Sequence, residues 1–150
     1  MTILFLTGLS GVGKSSVLSE MKIRGYKTVD LDYGFVRFEN NERLFDETKI
    51  KSLIKKHQET DLILAGTESN QGQFYSDFDE IILLTANLET MLERIEMRTS
   101  NPYGKSDAEQ AEVIETYESV LPLLRKRATL IMDTTHKSVQ EVCDQLEALL

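Results

Sequence analysis

The chain has 150 residues, a formal net charge of −8, and 41% hydrophobic and 28% charged residues. That length supports one domain, 1–150, with one good core and no room for a second full one. The acidic balance argues against a nucleic-acid partner, no apolar run approaches the ~20 residues of a membrane span, and the N-terminus lacks the basic start of a signal peptide, so a cytoplasmic protein is expected.

The chain opens on a short apolar strand, Thr2 to Thr7. It runs straight into Gly8-Leu9-Ser10-Gly11-Val12-Gly13-Lys14-Ser15, which fits the phosphate-binding P-loop pattern G-x-x-x-x-G-K-[ST]. A helix follows from Ser16 to Arg24, and Gly25 stands where a helix should stop. The chemistry explains these residue types. Glycines let successive backbone N–H groups turn inward onto phosphate oxygens, and the helix N-terminus adds unpaired N–H groups and partial positive charge. Gly8, Ser10, Gly11, Val12, Gly13, Lys14, Ser15 and Ser16 are therefore the expected nucleotide-phosphate site. Lys14 reaches the β- and γ-phosphates, and the Ser15 hydroxyl suits Mg²⁺, a hard cation that prefers oxygen.

A second strand, Tyr26 to Asp32, ends in Asp30 and Asp32. In a regular strand two such side chains point the same way. One of the two suits Mg²⁺ and the other suits the proton of an attacking hydroxyl. Residues 33–43 carry no clear period and read as a loop or broken helix, with Arg37 and Arg43 as candidate substrate clamps. Asp46 caps a helix expected to run to about Thr60, with a solvated Lys-rich face. The third strand, Leu62 to Gly66, ends where Gly66, Thr67 and Glu68 can face a substrate. Glu68 suits either a metal-site acid or a base acting on water. A polar stretch to Gly72 and a short turn at Gln73–Tyr75 lead to a fourth strand, Glu80 to Thr85.

The next helix, from Leu88 to about Arg98, carries Arg94 and Arg98 on one face. They either pair with surface glutamates or stabilise a transferring phosphoryl group, and an arginine can stack on adenine. The loop Thr99 to Lys105 follows, with Lys105 placed to close over phosphates. Ser106 or Asp107 caps a long helix that Pro122 should kink or break. Ala128 to Met132 is a fifth strand, Asp133 to Lys137 a loop, and Ser138 to Leu150 the closing helix. Strands alternating with helices predict an α/β protein with a mostly parallel sheet covered on both faces. The single Cys143 suits a small buried apolar residue.

The P-loop, the Asp-x-Asp pair, the paired arginines and the lid-like loop together resemble the compact P-loop kinases, the shikimate kinase, gluconate kinase and adenylate kinase group. The resemblance implies a three-layer P-loop NTPase fold with five parallel strands in the order 2-3-1-4-5. It also implies a substrate-side region at about 33–60 and a lid-like segment at about 98–108. By the same resemblance Asp30 lies near Mg²⁺, Asp32 on the substrate hydroxyl, and Arg94 and Arg98 before the lid. The Asp133–Lys137 loop, with Thr134 and His136, falls at the adenine. Gly66 is followed by Thr67-Glu68 in place of the glycine-rich substrate turn of shikimate kinase, so the acceptor itself does not carry over. The expected activity is transfer of the γ-phosphoryl group of Mg-ATP, giving ADP, to a small-molecule acceptor, a hydroxyl by preference. The alternatives are a nucleotide-binding switch or regulatory ATPase acting only on water, and a nucleoside monophosphate kinase. Oligomeric state is not readable from the sequence.

Overall fold

The computed structural model describes residues 1–99 and 101–150. Five parallel strands form the central sheet: β1 (Ile3–Thr7), β2 (Lys27–Asp30), β5 (Leu62–Ala65), β6 (Glu80–Thr85) and β7 (Leu130–Asp133). Their spatial order is β2-β5-β1-β6-β7, which, counting the parallel strands alone, is the expected 2-3-1-4-5. β1 lies at the centre, with Leu4 and Leu6 beside Ile63 and Ala65 on one side and Glu80 and Ile82 on the other.

Alternation along the strands builds two cores, one on each face of the sheet. Leu4, Leu6, Ile63, Ile82 and Leu84 pack with α1 (Lys14–Ile23), α3 (Leu88–Met97) and α6 (Val139–Glu147). Ile3, Phe5, Leu62, Leu64 and Ile81 pack on the other face with α2 (Glu47–Lys56) and with Phe74 and Phe78, around a 3₁₀ helix at Gln71–Asp77. There Phe5 stacks on Phe78 with centroids 4.8 Å apart and meets Phe45 edge-on. Cys143 is fully buried, its Sγ 3.7 Å from the Val17 carbonyl of α1.

Local chemistry sets the helix limits. α1 closes in a Schellman pair of bonds, Gly25 N–H to Lys22 and Tyr26 N–H to Met21. Asp46, Asn87, Ser106 and Ser138 each cap a helix by accepting an N–H three residues on. Pro122 does break the long helix. α4 (Asp107–Ser119) and α5 (Leu121–Arg127) meet at Val120, with the proline in the first turn of α5, where its missing N–H costs nothing.

Two expectations are corrected. Residues 33–43 are neither loop nor broken helix. Most of them belong to an antiparallel hairpin, β3 (Val36–Glu39) and β4 (Glu42–Phe45). Asn40 and Asn41 turn it, both in the left-handed region at φ 52° and 64°, as a two-residue hairpin turn requires. α2 ends at Lys56 rather than Thr60, because His57 leaves helical geometry and the chain must turn to enter β5.

Candidate active site

The P-loop lies beyond the carboxyl end of β1, on the rim where open α/β sheets bind ligands. Gly11 and Gly13 take φ of 86° and 100°, and Gly13 sits at the start of α1 with no side-chain cap. A Cβ at Gly13 would meet nothing within 4 Å, so the backbone here faces open space. A cleft of about 480 Å³ surrounds this turn. Leu9 to Val17 of the loop and α1, Asp32, Arg94, Arg98, Asn101, Thr134 and the Lys137–Val139 segment line it. Its size and its mix of polar and apolar walls suit a small ligand.

Lys14 folds back onto its own loop. Its ammonium donates to the Gly8 carbonyl, and to that of Leu9 at 3.1 Å. Burial pulls its pKa down to about 8, opposed by the nearby charges of Asp32 and Asp30.

The two aspartates do not alternate along one strand as expected. β2 stops at Asp30, and Asp32 lies in the following turn, its N–H donating to the Asp30 carboxylate at 3.0 Å. Burial raises the Asp30 carboxyl above its ordinary range, partly offset by that N–H. The turn brings Asp32 into the cleft with Lys14, whereas Asp30 does not line it, though its charge reaches Lys14.

Thr67 and Glu68 take different places. The Thr67 hydroxyl donates to the Gly8 carbonyl at 2.7 Å and accepts the Gly8 N–H at 3.2 Å, so it fastens the loop after β5 to the P-loop. Gln71, buried and not identified from the sequence, completes the fastening. It donates to Thr7 at 3.1 Å and to Tyr75 at 2.7 Å, and accepts the Glu68 N–H at 2.9 Å. The Glu68 side chain is only 8% exposed and pairs with Arg43 at 2.7 Å. Burial raises its carboxyl, with Arg43 opposing. Gly66 does not open onto a substrate, because a Cβ there would lie 2.7 Å from the Phe45 ring.

The arginines also separate. Arg37 is turned away from the cleft, forked onto Glu47 at 2.7 and 2.8 Å and reaching Glu39 at 2.9 Å. It holds the Glu47 carboxyl down to about 2. Arg43 instead faces the site, on Glu68 and Asp32. Arg94 is a brace: it donates to the Gly11 carbonyl and to both oxygens of Thr134, and the Thr134 hydroxyl donates on to Val12. Arg98 lines the cleft while donating to the carbonyls of Asn101 and Tyr103. Burial lowers its pKa. Lys105 donates to the Arg98 carbonyl at 2.6 Å and does not line the cleft. Ser100, within the stretch expected to be lid-like, lies outside the described residues. His136 is exposed and off the cleft. Lys137, the last residue of the expected adenine loop, does line it, and Ser138, Val139 and Val142 extend that wall, three residues that in sequence only open an ordinary amphipathic helix.

The residues fit a magnesium nucleotide by donor chemistry. Ser15 and Asp32 offer oxygens inside the cleft, Asp30 adds a carboxylate whose charge reaches Lys14, and Mg²⁺ bound with phosphates needs only one or two protein carboxylates. Among the described residues no three His, Cys, Asp or Glu side chains gather into a metal cluster of their own. No described helix is long and apolar enough to cross a membrane.

Comparison with known proteins agrees with this fold. A shikimate kinase from Acinetobacter baumannii, solved in complex with shikimate, superposes with a TM-score of 0.70 at 17% identity, over 99% of this chain and 92% of that one. TT1252 from Thermus thermophilus superposes at 0.63 with 18% identity, over 99% and 97%. Both likenesses are of fold. A nucleotide-binding protein from Alkalilimnicola ehrlichii is 28% identical over 95% of this chain and 52% of its own length. An RNase adapter protein RapZ from Escherichia fergusonii is 26% identical over 100% and 54%. The chain thus spans about half the length of the curated relatives it matches. A family model described as an AAA domain matches residues 4–115, from β1 through the P-loop and into α4. With a nucleotide-type P-loop at the centre of a P-loop kinase fold, the chain belongs to this AAA domain family.

Proposed function

We propose that this chain is a Mg-ATP-dependent phosphotransferase that moves the γ-phosphoryl group to a hydroxyl of a small-molecule acceptor. The observation that carries this reading is that Asp32 shares one cleft with the P-loop and Lys14. A phosphate site alone would serve any nucleotide-binding protein. A carboxylate across from it supplies what transfer needs: a group to orient the acceptor hydroxyl and take its proton.

In this reading the N–H groups of the loop and of the first turn of α1 hold the β- and γ-phosphates, and Lys14 leaves the Gly8 and Leu9 carbonyls to join them. Ser15 and Asp30 would hold Mg²⁺, which when bound neutralises phosphate charge. Arg98 stabilises the charge that spreads over the moving phosphoryl group. Arg94 acts at one remove, fixing Gly11 and Thr134 beside the nucleotide. Thr134 and the Lys137–Val142 wall receive the base.

The test is a panel of hydroxyl acceptors assayed for acceptor-stimulated ADP release. One acceptor should raise turnover at least tenfold, and Asp32→Asn should remove that gain while leaving nucleotide binding within about twofold. Lys14→Ala should weaken nucleotide binding whatever the acceptor. Normal activity in Lys14→Ala would overturn the phosphate site itself.

A regulatory nucleotide-binding role is the second reading. It draws on the relatives named as a nucleotide-binding protein and an RNase adapter, and on Glu68 beside Asp32 as a possible base for water. Under that reading no acceptor stimulates turnover and Glu68→Gln alone stops hydrolysis. A nucleoside monophosphate kinase has less support, since the segment between β2 and α2 is the small β3–β4 hairpin.

A further inference from the structure

A phosphotransferase must keep water from taking the phosphoryl group before the acceptor does. Two carboxylates meet Arg43 here: Asp32 lines the cleft, and Glu68 stands beside Asp32 without lining it. Glu68 is nearly buried, and its Oε1 accepts from Arg43 Nη1 at 2.7 Å, a short charge-assisted bond. Asp32 accepts from Nη2 of the same guanidinium only at 3.3 Å, and its side chain is 42% exposed on the cleft. Arg43 itself reaches the site from β4. Its hairpin partner in register is Phe38, whereas Arg37 is paired with Leu44. The two arginines therefore lie on opposite faces of the hairpin, and only Arg43 can touch the carboxylates.

We infer that Arg43 is a specificity-determining positioning residue: it holds the Glu68 carboxylate in an ion pair off the cleft, so that Asp32 is left to serve an acceptor and Glu68 is not free to serve water. This rests on the phosphotransferase reading above. The suppressed side reaction is simple to write. A water oxygen bonds to the γ-phosphorus while the bond from that phosphorus to the bridging oxygen breaks. The water proton passes to Glu68, and ADP and inorganic phosphate leave. With Arg43 Nη1 on Glu68 Oε1, that oxygen is engaged by the guanidinium, and the paired carboxylate is a poorer base for water.

The experiment is phosphate release from Mg-ATP alone, with no acceptor, at saturating nucleotide. Arg43→Gln should raise it about tenfold, with the KM for ATP within about twofold of wild type. Arg43→Lys, which keeps a cation there, should stay close to wild type. Glu68→Gln placed in the Arg43→Gln background should remove the increase. A purely structural Arg43 would instead lower activity in both variants and would not be rescued by the second change. Arg43 is exposed on a surface hairpin, and Arg43→Met, which keeps the stem, serves as a second variant if Arg43→Gln fails to fold. Phosphate release at or below the wild-type rate in folded Arg43→Gln or Arg43→Met overturns the inference. If an acceptor still stimulates wild type in that case, the inference alone has failed. If no acceptor stimulates turnover and Glu68→Gln alone abolishes phosphate release, the phosphotransferase reading has failed with it.

Discussion

Lys14 carries a pH signature that follows from its place in the loop. Burial lowers its pKa to about 8 against Asp32 and Asp30, which act in the opposite sense. A bound triphosphate favours the ammonium form, so binding must raise this pKa. Linkage then fixes the sign: ATP affinity is full below about pH 8 and falls as pH rises from there toward the ordinary lysine value of 10.5. Titration calorimetry between pH 7 and 10 should show the decline, and Lys14→Arg, always charged, should flatten it. The ligand-free protein should respond the other way. Over the same window its unfolded form binds more protons at Lys14 than the folded form, so this group adds stability as pH rises. The identity of Lys14 was legible at once from the motif. Its low pKa was not, because burial arises from segments far away in sequence. Arg37 and Arg43 make the same point. In a stretch read as loop they look equivalent, and only the hairpin register separates them.

At the scale of elements, the P-loop is held from both sides. Thr67 grips Gly8 from the loop after β5, while Arg94 of α3 grips Gly11. Gly11 also packs directly on α3: a Cβ there would lie 2.6 Å from the Met91 carbonyl, at a φ of 86° that side chains avoid. Gly11→Ala should therefore push α3 away from the loop. We expect a loss of about 2–4 kcal/mol in urea unfolding together with weakened ATP binding. A stable variant with unchanged affinity would mean that α3 yields freely. The strands and most helices were readable from period and capping residues, and so was their order. The β3–β4 hairpin was not, because its strands are four residues each and their outward faces are polar and charged. Its one local signal was Asn40-Asn41, a pair that tolerates left-handed backbone and should have prompted a hairpin reading. Gln71 was equally hidden, since a buried amide looks like loop polarity until Thr7 and Tyr75 converge on it.

At the scale of the whole molecule, the sheet separates two apolar cores while α1 and α6 clasp one edge of the first. Arg24 spans that clasp, donating to Glu20, Asp144, Glu147 and the Gln140 side chain. Directly beneath lies the chain's sole thiol, Cys143, sealed against Val17 and kept protonated by burial. A reagent can reach that sulfur only when α6 parts from α1, so nature has left a reporter for this opening already installed. Its alkylation rate measures how often the clasp lets go. Because α1 also bears the phosphate site at its N-terminus, any nucleotide that binds only the closed form must slow the labelling. At one hundred times its dissociation constant the slowing should be about a hundredfold. Mass spectrometry of a timed alkylation, with and without Mg-ATP, would read nucleotide affinity from the far end of the helix that binds it. No acceptor needs to be known for that measurement, and a labelling rate indifferent to nucleotide would show that the clasp opens independently of the P-loop.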